Sequence, residues 1–145
     1  MFSKYWEAFK AIAKRHNDGY TGKPSVQLDK CPATQLYDLM CCKREHSVAV
    51  NLQHKDSVEI RLWSGIDNAD DLIFYLDNMQ ALARYAKKVS IERVQVAKFT
   101  DFMKYYKLDT SAKMALDRVK AWRNFIEPST IKDLEQFVER KENNQ

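Results

Sequence analysis

The stretch 47-SVAVNLQHKDSVEIRLWS-64 decides how this chain reads. In its first half Val48, Val50 and Leu52 share one face, and Ala49, Asn51 and Gln53 the other. In its second half Val58, Ile60 and Leu62 oppose Glu59, Arg61 and Trp63. Side chains alternate sides along a strand, so a period of two marks two half-buried strands. His54, Lys55 and Asp56 between them form a polar hinge of hairpin length. Upstream, Leu36–Cys42 reads as a further strand, with Lys43–His46 as the turn into the hairpin. Three consecutive antiparallel strands make a meander, and one face of it needs a cover.

The cover is expected from helices on either side. Ile66-Asp67-Asn68-Ala69-Asp70-Asp71 supplies an apolar residue, a capping side chain and acids for a first helical turn. Leu72, Ile73, Leu76, Met79, Leu82, Ala83 and Ala86 follow at helical spacing, so 68–87 is a helix with these residues as its stripe. A first helix over 3–14 carries Tyr5, Trp6, Phe9, Ile12 and Ala13. Val89–Lys98 fits either a fourth strand with a bulge or a continued helix. Downstream, helices are expected over 99–107, capped by Thr100, and over 110–126 with Met114 or Ala115, Val119, Trp122 and Ile126 inward. Pro128 ends that element. A last helix to about Lys141, capped by Ser129 or Thr130, turns Ile131, Leu134, Phe137 and Val138 inward. The order predicts an α+β fold: an antiparallel three- to four-stranded meander covered by helices on one face, with a helical C-terminal third. At 145 residues the chain reads as a single domain, 1–145.

Three Gly and three Pro agree with long regular elements. The N-terminus mixes charges with aromatics, unlike a signal peptide, and no run approaches the roughly 20 apolar residues of a membrane helix. A cytoplasmic protein without a membrane partner is expected. Cys31, Cys41 and Cys42 are an odd set, and neighbours on a strand point to opposite faces, so free thiols in a reducing compartment are expected.

The net charge of +4 is segregated. Residues 1–30 carry six basic and three acidic side chains, 31–83 four and eight, 84–123 eleven and four, and 124–145 three and five. The third block interleaves its cations with Tyr85, Tyr105, Tyr106 and Trp122. Lys and Arg neutralise phosphates and exposed aromatic rings stack on bases, so this block is the candidate nucleic-acid surface. Arg93, Lys98, Lys104, Tyr105, Tyr106, Lys107, Lys113 and Arg118 are its candidate contacts. A solvated helix face with the aromatics turned into the core is the simpler alternative. The same charges would also suit an acidic protein surface.

Catalytic patterns are fragmentary. Asp38 and Glu59-Ile60-Arg61 imitate a nuclease layout in which acids hold a divalent ion and a Lys serves the water. Arg61 replaces that Lys and is a poor base. Cys31, Cys41, Cys42, His46 and His54 offer zinc-type ligands, but only Cys42 and His46 come near paired-ligand spacing. A Cys–His nucleophile from Cys41 or Cys42 lacks an oxyanion loop. Common nucleotide and hydrolase motifs are absent. No cofactor and no metal are expected.

Tyr37-Asp38, the hairpin VAVNLQHKDSVEIRLWSGID with the following DDLIFYLDNMQAL, and the late WRNFIEPSTIKDLEQF resemble a bacterial domain-of-unknown-function family associated with restriction-type nucleases. The resemblance spans about two thirds of the chain and consists mostly of patterned apolar residues; the family's aromatic-rich lead-in to the first strand is not evident. It implies an α+β accessory domain in nucleic-acid defence and transfers no catalytic residue. The reading that results is a small non-enzymatic binding module, contacting nucleic acid or a nucleic-acid-handling protein through its basic, Tyr-containing C-terminal half. The alternatives are a divalent-metal nuclease, and a protein inhibitor or oligomeric interaction protein, a homodimer included, using the sheet face of Glu59, Arg61 and Trp63. For the last, a phage or mobile-element origin is an analogy of size and charge alone.

Overall fold

A computed structural model describes residues 4–15, 50–51 and 57–143. The described part is mostly helical and corrects the α+β meander. Helices α1 (Trp6–Ile12), α2 (Ala69–Lys88), α3 (Ile91–Val96), α4 (Phe99–Met103), α5 (Asp109–Ala121) and α6 (Pro128–Glu142) make up most of it. The strands β1 (Val50–Asn51) and β2 (Glu59–Ile60) are two residues each. They pair antiparallel, Val50 with Ile60 and Asn51 with Glu59, a register centred on Lys55. The stretch at 36–42, its turn, the 54–56 hinge and all three cysteines and histidines lie outside the described residues.

The organising element is a helix. α5 packs on α1, α2 and α6, while α4 packs on α2 and α6. Ala112, Ala115, Leu116 and Val119 are its buried side, meeting Phe9 and Ile12 of α1 and Phe74 of α2 in one core. Rings fill the space around α4: Phe9 lies 5.1 Å from Phe99 and 5.6 Å from Phe102, and Phe102 lies 5.4 Å from Tyr106. α1 ends in a Schellman turn, with Lys14 at φ 54°, its N–H on the Ala11 carbonyl and that of Arg15 on the Lys10 carbonyl. Ser64 N–H and Tyr75 O–H both donate to the Ala13 carbonyl, tying the segment after β2 and α2 to that end.

α2 begins where expected, with Asn68 Oδ1 accepting from Asp71 N–H at 2.8 Å. Of the expected stripe Leu82 is buried and Met79 packs on the core, but the rest of the inward face differs. Asp71, Phe74, Tyr75, Asn78, Ala81, Leu82 and Tyr85 are buried, whereas Leu72, Ile73 and Leu76 are 41%, 49% and 54% exposed. Aromatic side chains bury the larger apolar area. Several polar groups on that face find partners, which offsets the cost of burying them: Asn78 Nδ2 donates to Tyr106 O–H, and Asp77 accepts from the backbone amides of Lys107 and Leu108, while Asn78 Oδ1 and the Tyr85 hydroxyl find none among the described residues.

Val89–Lys98 is neither a strand nor a continuation of α2. Val89 ends α2 in an extended conformation, and the Ser90 hydroxyl accepts from Arg93 N–H to start α3. α4 is capped two residues earlier than Thr100 predicts, at Lys98: Asp101 accepts from Lys98 N–H at 3.0 Å, and Thr100 is buried. Pro128 opens α6 as its first residue, where its missing N–H costs nothing. No described helix is long and apolar enough to cross a membrane.

Candidate functional site

The basic block does not form one continuous positive face, because the acids of α6 neutralise much of it. Lys98 pairs with Asp133 at 3.0 Å, Lys120 with Glu135 at 2.8 Å, and Lys113 reaches Glu142 at 4.0 Å. The bond to Glu135 raises the Lys120 ammonium above its ordinary value. Arg118 is interior: its side chain is 10% exposed, and it donates to Asp71 and to the Ile12 carbonyl. Arg84 is spent on the Tyr105 carbonyl and Gln80. Among the described residues, Lys87, Lys88, Arg93, Lys107 and Arg123 make no ion pair.

Positive charge in excess of its partners is therefore displaced toward the α2–α3–α4 corner, and that corner holds a cavity of about 460 Å³. Arg93 of α3, with Lys104 and Tyr105 just after α4, line it together with Tyr85 of α2 and Asp101 of α4. Val89, Val96 and Ala97 supply its apolar wall. The carbonyl bond from Arg84, 2.6 Å long, fixes the backbone at Tyr105. The Tyr105 ring then stands edge to face with Tyr85, 5.7 Å between centroids.

Electrostatics inside the cavity are mixed by design of the fold. Lys104 Nζ donates to Asp101 at 2.7 Å, and this bond, helped by the Lys98 amide, holds the Asp101 carboxyl below its ordinary value. Burial pushes the Tyr85 phenol up, with the Asp101 charge adding to the effect, so its hydroxyl stays protonated at neutral pH. That hydroxyl is buried and finds no hydrogen-bond partner among the described residues. A second cavity, about 510 Å³ between α1 and the start of α6, is lined by Glu7 and Glu127 as well as Lys4 and is less suited to an anion.

Of the eight candidate contacts, Arg93, Lys104 and Tyr105 come together at the first cavity. Lys98 and Lys107 flank it along the chain and are exposed, while Lys113 lies on the neutralised α5–α6 side. Tyr106 and Arg118 are corrected to core residues: Tyr106 is 5% exposed and held by Asn78 at 2.7 Å. The sequence named Tyr85 only as one aromatic among several and did not single out Asp101. The spacing Lys98-x-x-Asp101, an acid three residues after a helix start, is the signal that could have found it.

The sheet-face residues are arranged differently from an open interaction surface. Glu59 and Arg61 form a two-point pair, 2.7 and 2.8 Å, so both carboxylate oxygens face the guanidinium. Trp63 lies 4.8 Å from the Tyr75 ring and donates its indole N–H to Met79 Sδ. Asp38 lies outside the described residues, and among those described no three His, Cys, Asp or Glu side chains gather as a metal site needs. Comparison of the chain with family models, curated proteins and solved structures gave no match. The functional reading rests on the residues themselves.

Proposed function

We propose that this chain is a non-enzymatic binding module that contacts nucleic acid through the α2–α3–α4 corner. The observation that carries the reading is the convergence of Arg93, Lys104 and Tyr105 on one cavity, where charge is left unbalanced. Cations beside an aromatic ring are the pairing that serves phosphate and base at once, and the half-buried Tyr105 ring packs on the core while lining the cavity. Lys104 is held by Asp101, but that pair is 61% and 41% exposed, and such pairs contribute little enough that a phosphate can displace the carboxylate. Lys87 and Lys88 lie between Tyr85 and Arg93 in sequence, Lys107 follows Tyr105, and all three are exposed.

An acidic protein surface would use the same cations without needing the Tyr105 ring, so charge reversal and ring removal separate the two partners. Fluorescence anisotropy of labelled single-stranded DNA, duplex DNA and RNA tests the proposal. Arg93→Glu with Lys104→Glu should abolish binding, and Tyr105→Ala should weaken the single-stranded ligands by about five- to a hundredfold. Absence of binding by all three ligands at low salt would overturn it.

A further inference from the structure

We infer that the outward face of α2 is a dimer surface, which takes α2 of a second copy of this chain in antiparallel register. The inference is independent of the nucleic-acid reading above. α2 is 20 residues long, about 30 Å, and carries two apolar stripes where a surface helix needs one. Phe74, Tyr75, Ala81, Leu82 and Tyr85 face the core. The other stripe is Ala69, Leu72, Leu76, Met79, Ala83 and Ala86, in alternating steps of three and four residues. That spacing is the seam of a two-stranded coiled coil. Met79 is half-buried beside Trp63, and the other five are exposed. Ile73, also exposed, widens the stripe on one side. Contiguous exposed apolar surface of this kind marks an interaction site.

Two features make a second copy the occupant. The stripe is complementary to itself when reversed, as a two-fold interface requires. About an axis midway between Leu76 and Met79, Leu76 meets Met79 of the second copy, Leu72 meets Ala83, and Ala69 meets Ala86. Leu72 therefore packs over a small residue, and the paired alanines let the helix ends approach closely. Charge is the second feature. Asp67 and Asp70 are exposed at the start of α2, Lys87 and Lys88 at its end, and none of the four makes an ion pair among the described residues. An antiparallel copy sets the acidic end against the basic end and opposes the helix dipoles, whereas a parallel copy sets like against like. A seam confined to one pair of helices falls below the roughly 1,200 Å² at which standard interfaces begin, so the dimer is weak and concentration-dependent.

Sedimentation equilibrium of the full chain between about 1 μM and about 1 mM tests this. The mass should rise with concentration from 17.1 kDa toward twice that value. Leu76→Glu places like charges beside the axis at an exposed position. It should raise the dimer Kd by on the order of a hundredfold and leave the circular dichroism unchanged. Lys87→Glu with Lys88→Glu should weaken the dimer, and so should Asp67→Lys with Asp70→Lys. Mixing those two variants should restore association, because each end then meets its opposite charge. A single 17.1 kDa species at every concentration overturns the inference, whatever else covers the face. A dimer that Leu76→Glu leaves intact overturns it too, and if Arg61→Glu dissociates that dimer, the sheet face is the interface instead. Failure of the mixed charge variants to associate overturns the antiparallel register.

Discussion

Asp71 is the residue on which three helices close. Its side chain is 3% exposed and takes Arg118 of α5 on one oxygen and Lys14, just past α1, on the other at 2.6 Å. The Arg118 guanidinium also lies 4.4 Å from the Phe74 ring centre and donates to the Ile12 carbonyl. Removing one member leaves a charge stranded in the interior, so Asp71→Ala should destabilise the protein by about 3–5 kcal/mol in urea unfolding. Replacing Asp71 and Arg118 together by apolar residues should recover most of that loss. Tyr106 gives a second test through pH. Burial raises its phenol far above the ordinary value, so the folded chain keeps the proton that the unfolded chain releases above about pH 10. The unfolded state then binds fewer protons than the native one, and stability falls as pH rises through that range. Thermal melts between pH 8 and 11 should show the fall, and Tyr106→Phe should flatten it, with Tyr85 leaving a smaller remainder.

At the scale of elements, α2 shows what a period can and cannot decide. Its start at Asn68 was legible, because the capping residue and the acids behind it have only one use. Its inward face was not, because Leu72, Ile73 and Leu76 repeat with helical spacing just as Phe74, Tyr75 and Asn78 do. Only the partners on α1, α4 and α5 break the tie, and those are distant in sequence. Leu76→Gln should therefore change stability by no more than about 0.5 kcal/mol, whereas Phe74→Ala should cost about 3–5 kcal/mol. The expected face would reverse that order in a denaturant titration. The segment 89–98 stayed open between strand and helix for a related reason: Val89, Ile91, Val94 and Val96 fit a bulged strand as well as a continued helix, and the Ser90 cap starts a short separate helix. The hairpin stretch pairs Val50 with Ile60 and Asn51 with Glu59, but over two residues per strand; of its expected inward residues Leu62 is buried while Val58 is exposed, so neither the full alternation nor the sheet built on it was legible.

For the whole molecule, charge segregation was legible in sequence, and its distribution in space was not. Counting cations over 84–123 could not show that Asp133, Glu135 and Glu142 of α6 return to neutralise Lys98, Lys120 and Lys113. Nor could it show that Arg118 is drawn inside by Asp71, or that Tyr105 rather than its neighbour Tyr106 reaches a cavity. What the fold leaves is a corner where Arg93 and Lys104 meet, the proposed phosphate site. The most direct test is the salt dependence of single-stranded DNA binding between about 50 and 200 mM. With four to six cations engaged, log K should fall against log salt with a slope of about −3 to −4, roughly 0.7 per phosphate. Arg93→Glu with Lys104→Glu should flatten the line together with the affinity. A slope near zero, or no binding at the lowest salt, would rule out a phosphate site at this corner.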